Sequence, residues 1–189
     1  MEDKIVTIEA KKDEKFLRKK TQEFDFKKFN RKEINDLIIR MRKAMKKARG
    51  IGLSANQIGL DMKFFVAQIQ KSDNEGNPRS LTAGEQKFYA VFNPEIIKFS
   101  KEKTMLEEGC LSVPNTYAEV ERPEKVTLVG FDKNGKPMKI KAWGMLAKVF
   151  QHETDHLNGK IILDRAKKVY KIPASDRLKE RSKDIETEE

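Results

Sequence analysis

The sequence is short of several features that would each point to a class of function. It has a single cysteine, Cys110, so no internal disulfide can form. That thiol is left as a small buried side chain, a nucleophile or a metal ligand. No apolar stretch approaches the roughly 20 residues that a membrane-crossing helix needs. The start of the chain also lacks the apolar run and small-residue cleavage site of a secretory signal, so a cytoplasmic protein with no membrane partner is expected. Internal repeats and low-complexity tracts are missing. So is the aromatic and basic interleaving of a surface that reads nucleic acid, and DNA is not an expected partner. Only two histidines are present.

Charge is abundant. Forty Lys and Arg against 30 Asp and Glu give a formal +10, enough to favour transient contact with RNA, the ribosome or an acidic surface. In a chain that is 37% charged, most lysines are nevertheless expected to be solvated faces. A length of 189 residues with 38% hydrophobic residues fits one domain spanning residues 1–189, expected as a monomer.

Over residues 31–49 the apolar positions Ile34, Leu37, Ile38, Met41, Met45 and Ala48 recur at helical spacing, and Asn30 with Glu33 forms a capping-box pattern at the start. Gly50 is expected to end this helix. The stretch 50–59 is too rich in glycine for a helix or central strand and too apolar for a solvated linker, which predicts a tightly packed loop. Strands are expected at 63–69 and 88–92 around an exposed loop of turn formers at 71–78. A second pair, near 125–131 and 138–142, flanks the hairpin dipeptide Asn134-Gly135. A helical pattern runs from Gly144 to a stop at Gly159. From Lys167 onward a short helix and a charged tail are expected, frayed over about 174–189. Together the elements make an α+β domain.

In Gln151-His152-Glu153-Thr154-Asp155-His156 the two histidines are four residues apart. On a helix they stand one turn above each other and can reach one ion. Val149 and Met145 continue the same face as apolar residues, which turns the histidines toward a nonpolar interior. A catalytic zinc-type site takes three protein ligands and leaves a position open. The glutamates downstream (Glu180, Glu186, Glu188 and Glu189) lie in a charged tail. Upstream, Cys110 sits in Leu106-Glu107-Glu108-Gly109-Cys110-Leu111-Ser112-Val113-Pro114, where Gly109 permits an unusual backbone angle and Pro114 is expected to end the segment. Taken alone, a cysteine such as Cys110 is more often a small buried side chain than a soft ligand for iron or zinc.

Three segments, in order, resemble the signature motifs of the peptide deformylase family: Gly50-Ile51-Gly52-Leu53-Ser54-Ala55-Asn56-Gln57, Glu108-Gly109-Cys110-Leu111-Ser112, and the 151–159 segment from Gln151 to Gly159. The resemblance runs over about residues 15–165. Its one change within these motifs is Ser54 for the usual alanine, a swap of one small residue for another that is not expected to disturb the loop. It implies an α+β fold with mixed or antiparallel sheets around a central helix carrying the histidine pair. It also implies a hydrolase that removes the formyl group from the N-terminal formyl-methionine of nascent peptides, one Fe²⁺ per chain on Cys110, His152 and His156, and Zn²⁺, Ni²⁺ or Co²⁺ as substitutes. By the same resemblance Glu153 moves the proton, Gln57 and the N–H of Leu111 stabilise the oxyanion, and Ile51, Gly52, Leu106, Glu108, Met145 and Val149 bind the substrate. Lys148 stands where the family generally has an apolar residue, and the N-terminal segment around Lys15-Phe16-Leu17-Arg18 departs from the family pattern. Two other classes fit parts of the sequence. A zincin-like endopeptidase would need a third ligand downstream of the helix, and a basic RNA-binding module would give Gln57, Cys110 and Glu153 no role.

Overall fold

The computed structural model describes residues 3–70 and 86–171. Its centre is the helix predicted around the histidine pair, α1 and α2 being the segments Lys11–Leu17 and Arg31–Lys47, and α3 being Gly144–Leu157. Ten residues of α3, from Ala147 to Leu157 with the exception of His152, are buried, as befits a helix enclosed on nearly all sides. It stops where expected. Gly159 takes φ 73°, its N–H bonds the carbonyl of His156 at 3.0 Å, and the N–H of Lys160 reaches back to Asp155 at 2.9 Å. This cap satisfies carbonyls the helix leaves open. A Cβ at residue 159 would also lie 2.4 Å from the carbonyl oxygen of Arg18, so the position needs glycine for space as well as for conformation.

A five-stranded sheet runs in the order β1 (Gly52–Ser54), β2 (Phe64–Gln70), β3 (Gln86–Phe99), β6 (Lys125–Phe131) and β7 (Pro137–Trp143). Strand β2 explains how it is held. Phe64 and Val66 pack on the α2 side with Ile34, Ile38, Met41 and Met45, whereas Phe65 and Ala67 face Phe150 and Leu157 of α3. A strand covered on both faces has to be apolar without alternation, and residues 64–67 are. Each fully buried phenylalanine here contributes roughly 1.5–3 kcal/mol of burial free energy. A second sheet has the order β4 (Lys103–Cys110), β5 (Val113–Pro123) and β8 (Ala166–Lys171), and packs Val113, Ala118 and Val120 against Ile161 and Ile162. Every strand pairing among the described residues is antiparallel, so the fold is α+β with antiparallel sheets around α3. No helix among them is long and apolar enough to cross a membrane.

Several local expectations change. The capping box at Asn30 and Glu33 forms, but the left-handed residue after α2 is Arg49 at φ 55°, not Gly50. The glycine instead allows a close approach, since a Cβ there would lie 2.8 Å from the end of the Leu111 side chain and 3.2 Å from the Gly52 carbonyl oxygen. The stretch 50–59 is packed as predicted, yet it forms edge strand β1 followed by a 3-10 turn, Ala55–Ile58. In the β6–β7 hairpin only Gly135 has positive φ. The Asp132 carboxylate accepts from the N–H groups of Asn134 and Lys136, giving a three-residue loop where a two-residue turn was expected. Residue 109 has no positive φ, and Pro114 lies inside β5 instead of ending the segment. Residues 167–171 form strand β8, not a helix, because Val169 and Tyr170 pair with Ala118 and Tyr117. The expected exposed loop at 71–78 and the tail at 174–189 lie outside the described residues.

Candidate metal centre and catalytic site

Strand β4 presents alternate residues to one face, so Leu106, Glu108 and Cys110 share the inward side while Met105 and Glu107 are exposed. Cys110 is the last residue of β4, and Leu111 and Ser112 make the turn into β5. This face meets α3. Cys110 Sγ lies 3.1 Å from His156 Nε2, which lies 3.2 Å from His152 Nε2, and the three donor atoms fall within 4.8 Å of one another. A tetrahedral ion with bonds of about 2.3 Å to sulfur and 2.0–2.1 Å to nitrogen would set its donors roughly 3.3–3.6 Å apart. The donor set therefore fits one transition-metal ion. Among the described residues it is the only group of three or more histidine, cysteine or acidic residues so placed, which leaves the downstream ligand of an endopeptidase without a candidate there.

The candidate ligands are oriented by buried charge. His152 Nδ1 lies 3.1 Å from Glu108 Oε2, which assigns the proton to Nδ1 and leaves Nε2 as the donor atom. Glu108 in turn receives two bonds from the Arg122 guanidinium, at 2.5 and 2.9 Å. The third arm of Arg122 reaches Asp155 Oδ2 at 2.8 Å, and Arg165 closes the chain on the same carboxylate. Burial pushes the Glu108 carboxyl up, but hydrogen bonds from His152 and Arg122 outweigh it and hold the group down at about 2. Burial likewise raises the Cys110 thiol, yet the attraction of His156 and the bond with His152 bring it to about 5. His152 moves the other way: burial disfavours its charge, and its bonds to Cys110 and Glu108 raise it well above the ordinary imidazole value. At neutral pH the sulfur is thus poised as a thiolate, the form that binds metal. Arg122, Asp155 and Arg165 were not singled out from the sequence. The available signal was Arg122 itself, a guanidinium in an otherwise alternating stretch, 4% exposed in the fold.

The 3-10 turn after β1 brings Gln57 to the opposite side of the sulfur. Its Oε1 accepts from the N–H of Ser54 at 2.9 Å, which fixes the amide orientation and turns Nε2 toward Ser112 Oγ at 3.1 Å and Cys110 Sγ at 3.9 Å. Glu153 is 3% exposed, and burial raises its carboxyl while the two imidazoles oppose the shift. A Cβ on Gly52 would lie 2.4 Å from Glu153 Oε1, so the glycine makes room for this carboxyl.

The residues expected to bind substrate differ in exposure, Gly52 being half-buried. Ile51 and Met145 are exposed, Leu106 is half-buried and Val149 is buried. Met145 is therefore not part of the nonpolar interior toward which its helix face was expected to point. The Glu108 carboxylate is committed to Arg122 and His152. Lys148 is buried, its Nζ donating to the carbonyl of Thr104 at 2.9 Å, and burial lowers its ammonium below the ordinary value. The Ile51 carbonyl accepts from the N–H of Gln68, so it is turned into the sheet.

Known proteins are similar to this chain in sequence and fold. The sequence model of the family described as Polypeptide deformylase matches residues 3–171. A peptide deformylase of Bartonella henselae is 35% identical over 149 residues, 79% of each chain. The crystal structure of peptide deformylase from Thermotoga maritima superposes with a TM-score of 0.71 at 30% identity, covering 89% of this chain and 99% of that one. A class I type b peptide deformylase of Acinetobacter baumannii, crystallised with Met-Ala-Ser bound, gives 0.74 at 28% identity, covering 87% and 98%.

Proposed function

The chain belongs to the polypeptide deformylase family, enzymes that remove the formyl group from the N terminus of newly made proteins, and from that premise we propose which of its residues carry the reaction and on which metal. The observation behind the proposal is the convergence of the donor atoms of Cys110, His152 and His156 within 4.8 Å, with the Glu153 carboxyl near enough to feel all three electrostatically. Cys110, His152 and His156 would hold a divalent ion, which would supply Lewis acidity toward water and the formyl oxygen. Glu153 takes the proton of the attacking water as the new C–O bond forms. Negative charge on the formyl oxygen is met by two donors, Nε2 of Gln57 and the backbone N–H of Leu111. Glu153 then returns its proton to the nitrogen as the C–N bond breaks, releasing formate and a free amine.

Ile51, Leu106, Met145 and Val149 receive the methionine side chain, and Glu108 acts on the same wall by fixing His152. The substrate backbone lies along the open edge of β1, where the groups of Gly52 alternate with the inward carbonyl of Ile51. Ferrous iron is the activity-supporting ion that membership of the family implies, and one thiolate with two imidazoles would also hold zinc. Zn²⁺, Ni²⁺ and Co²⁺ are substitutes, and air inactivates through oxidation of the metal or of Cys110. The enzyme works in the cytoplasm as a monomer, on formyl-methionyl nascent chains, with its basic surface giving transient contact to the ribosome. The test is to purify the protein without oxygen, measure bound metal, and assay formate release from formyl-Met-Ala. Glu153→Ala should keep the metal and lose nearly all turnover; a variant with wild-type turnover would overturn the assignment.

A further inference from the structure

Ser54 ends β1 with no exposed surface, and both of its hydrogen-bonding arms serve residues assigned to the chemistry. Its backbone N–H donates to Gln57 Oε1 at 2.9 Å. Its Oγ lies 2.5 Å from Glu153 Oε2 and 3.0 Å from the backbone carbonyl of the same residue. Among the described residues this hydroxyl is the only hydrogen-bond partner of the Glu153 carboxyl. The other carboxyl oxygen, Oε1, rests against the bare Cα of Gly52, where a Cβ would come within 2.4 Å.

We infer that Ser54 is a positioning residue: its hydroxyl fixes the rotation of the Glu153 carboxyl and its N–H fixes the amide of Gln57, so that the base and the oxyanion donor are registered on one backbone unit. A hydroxyl carries one hydrogen, and both acceptors within its reach belong to Glu153. Turning that hydrogen to the carbonyl leaves Oγ free to accept, so the contact survives when the carboxyl holds a proton. Alanine at this position, the usual residue in the motif that this segment resembles, would leave the same space and no such contact. The carboxyl would then rotate about its last bond against Gly52, and misplacement of a reacting group by about an ångström costs up to ~10²-fold in rate.

The inference rests on Glu153 as the proton-transferring residue, and the experiment separates the two. Ser54→Ala, Ser54→Thr and Glu153→Gln are compared with the wild-type chain, each metal-loaded, by kcat and KM on formyl-Met-Ala, metal content and melting temperature. Ser54→Ala should lose about 10- to 100-fold in kcat with KM within about twofold, at unchanged metal content and melting temperature. Ser54→Thr, which keeps the hydroxyl, should retain most of kcat. Wild-type kcat in Ser54→Ala overturns the inference. So does a loss shared equally by Ser54→Thr, or one that comes with lost metal or a matching rise in KM. An inactive Glu153→Gln beside a fully active Ser54→Ala would sink this inference alone, whereas a fully active Glu153→Gln would remove its premise as well.

Discussion

On the flank of α3 that faces β4 and β5, His152 and Asp155 are held by a chain of charges running from Glu108 through Arg122 to Arg165. On the flank that faces β1, Glu153 is held by one neutral hydroxyl and the absence of a side chain at Gly52. The contrast follows from what each group has to do. As a proposed metal ligand, His152 would present one nitrogen in one direction throughout the reaction, and fixed charges around it enforce a single state. In the proposed reaction Glu153 would gain and lose a proton, and a neutral partner able to donate or accept tolerates both. The ionic flank should therefore be felt in stability and metal affinity, and the neutral flank in turnover.

Breaking the ionic flank gives the largest effect on folding. Arg122→Leu leaves Glu108 buried with only His152 for a partner, and removing one member of such a network costs about 3–5 kcal/mol. Urea unfolding should show that loss. Metal affinity should fall about 10- to 100-fold with it, since the residue orients a ligand through Glu108. A variant as stable as the wild type would mean that the charges fix nothing. A smaller effect, and a sharper one, comes from acid. Glu108 is held at about 2 in the fold against an ordinary 4.5, so the stability it contributes is fully present above about pH 4.5 and is lost as the pH falls toward 2. Wild type and Arg122→Leu, both metal-free, should therefore converge in unfolding free energy between pH 5 and about 2. A constant gap across that range would contradict the pairing.

How much of this could be read beforehand depended on distance along the chain. The histidine pair, the Asn30 cap and the strands flanking Asn134-Gly135 are local patterns, and each element formed near where its spacing placed it. Strands β4 and β5 were hidden because the inward positions of β4 carry Glu108 and Cys110 for the site, which breaks the apolar alternation that marks a strand. Strand β8, with lysines at 167, 168 and 171, exists because β5 offers it an edge; nothing local distinguishes it from a charged helix. Arg122 becomes intelligible only when Glu108 and Asp155 close around it from two other elements. Ser54 was legible as a small residue, but its bond spans 99 positions to Glu153, and no window along the sequence contains both.

The account depends most directly on sulfur and imidazole sharing one ion. X-ray absorption at the iron edge of anaerobically loaded protein counts those neighbours. One sulfur with two imidazole nitrogens is the predicted protein contribution to the shell, and Cys110→Ala should remove the sulfur from it. A shell of nitrogen and oxygen alone in the wild type would contradict the centre described above.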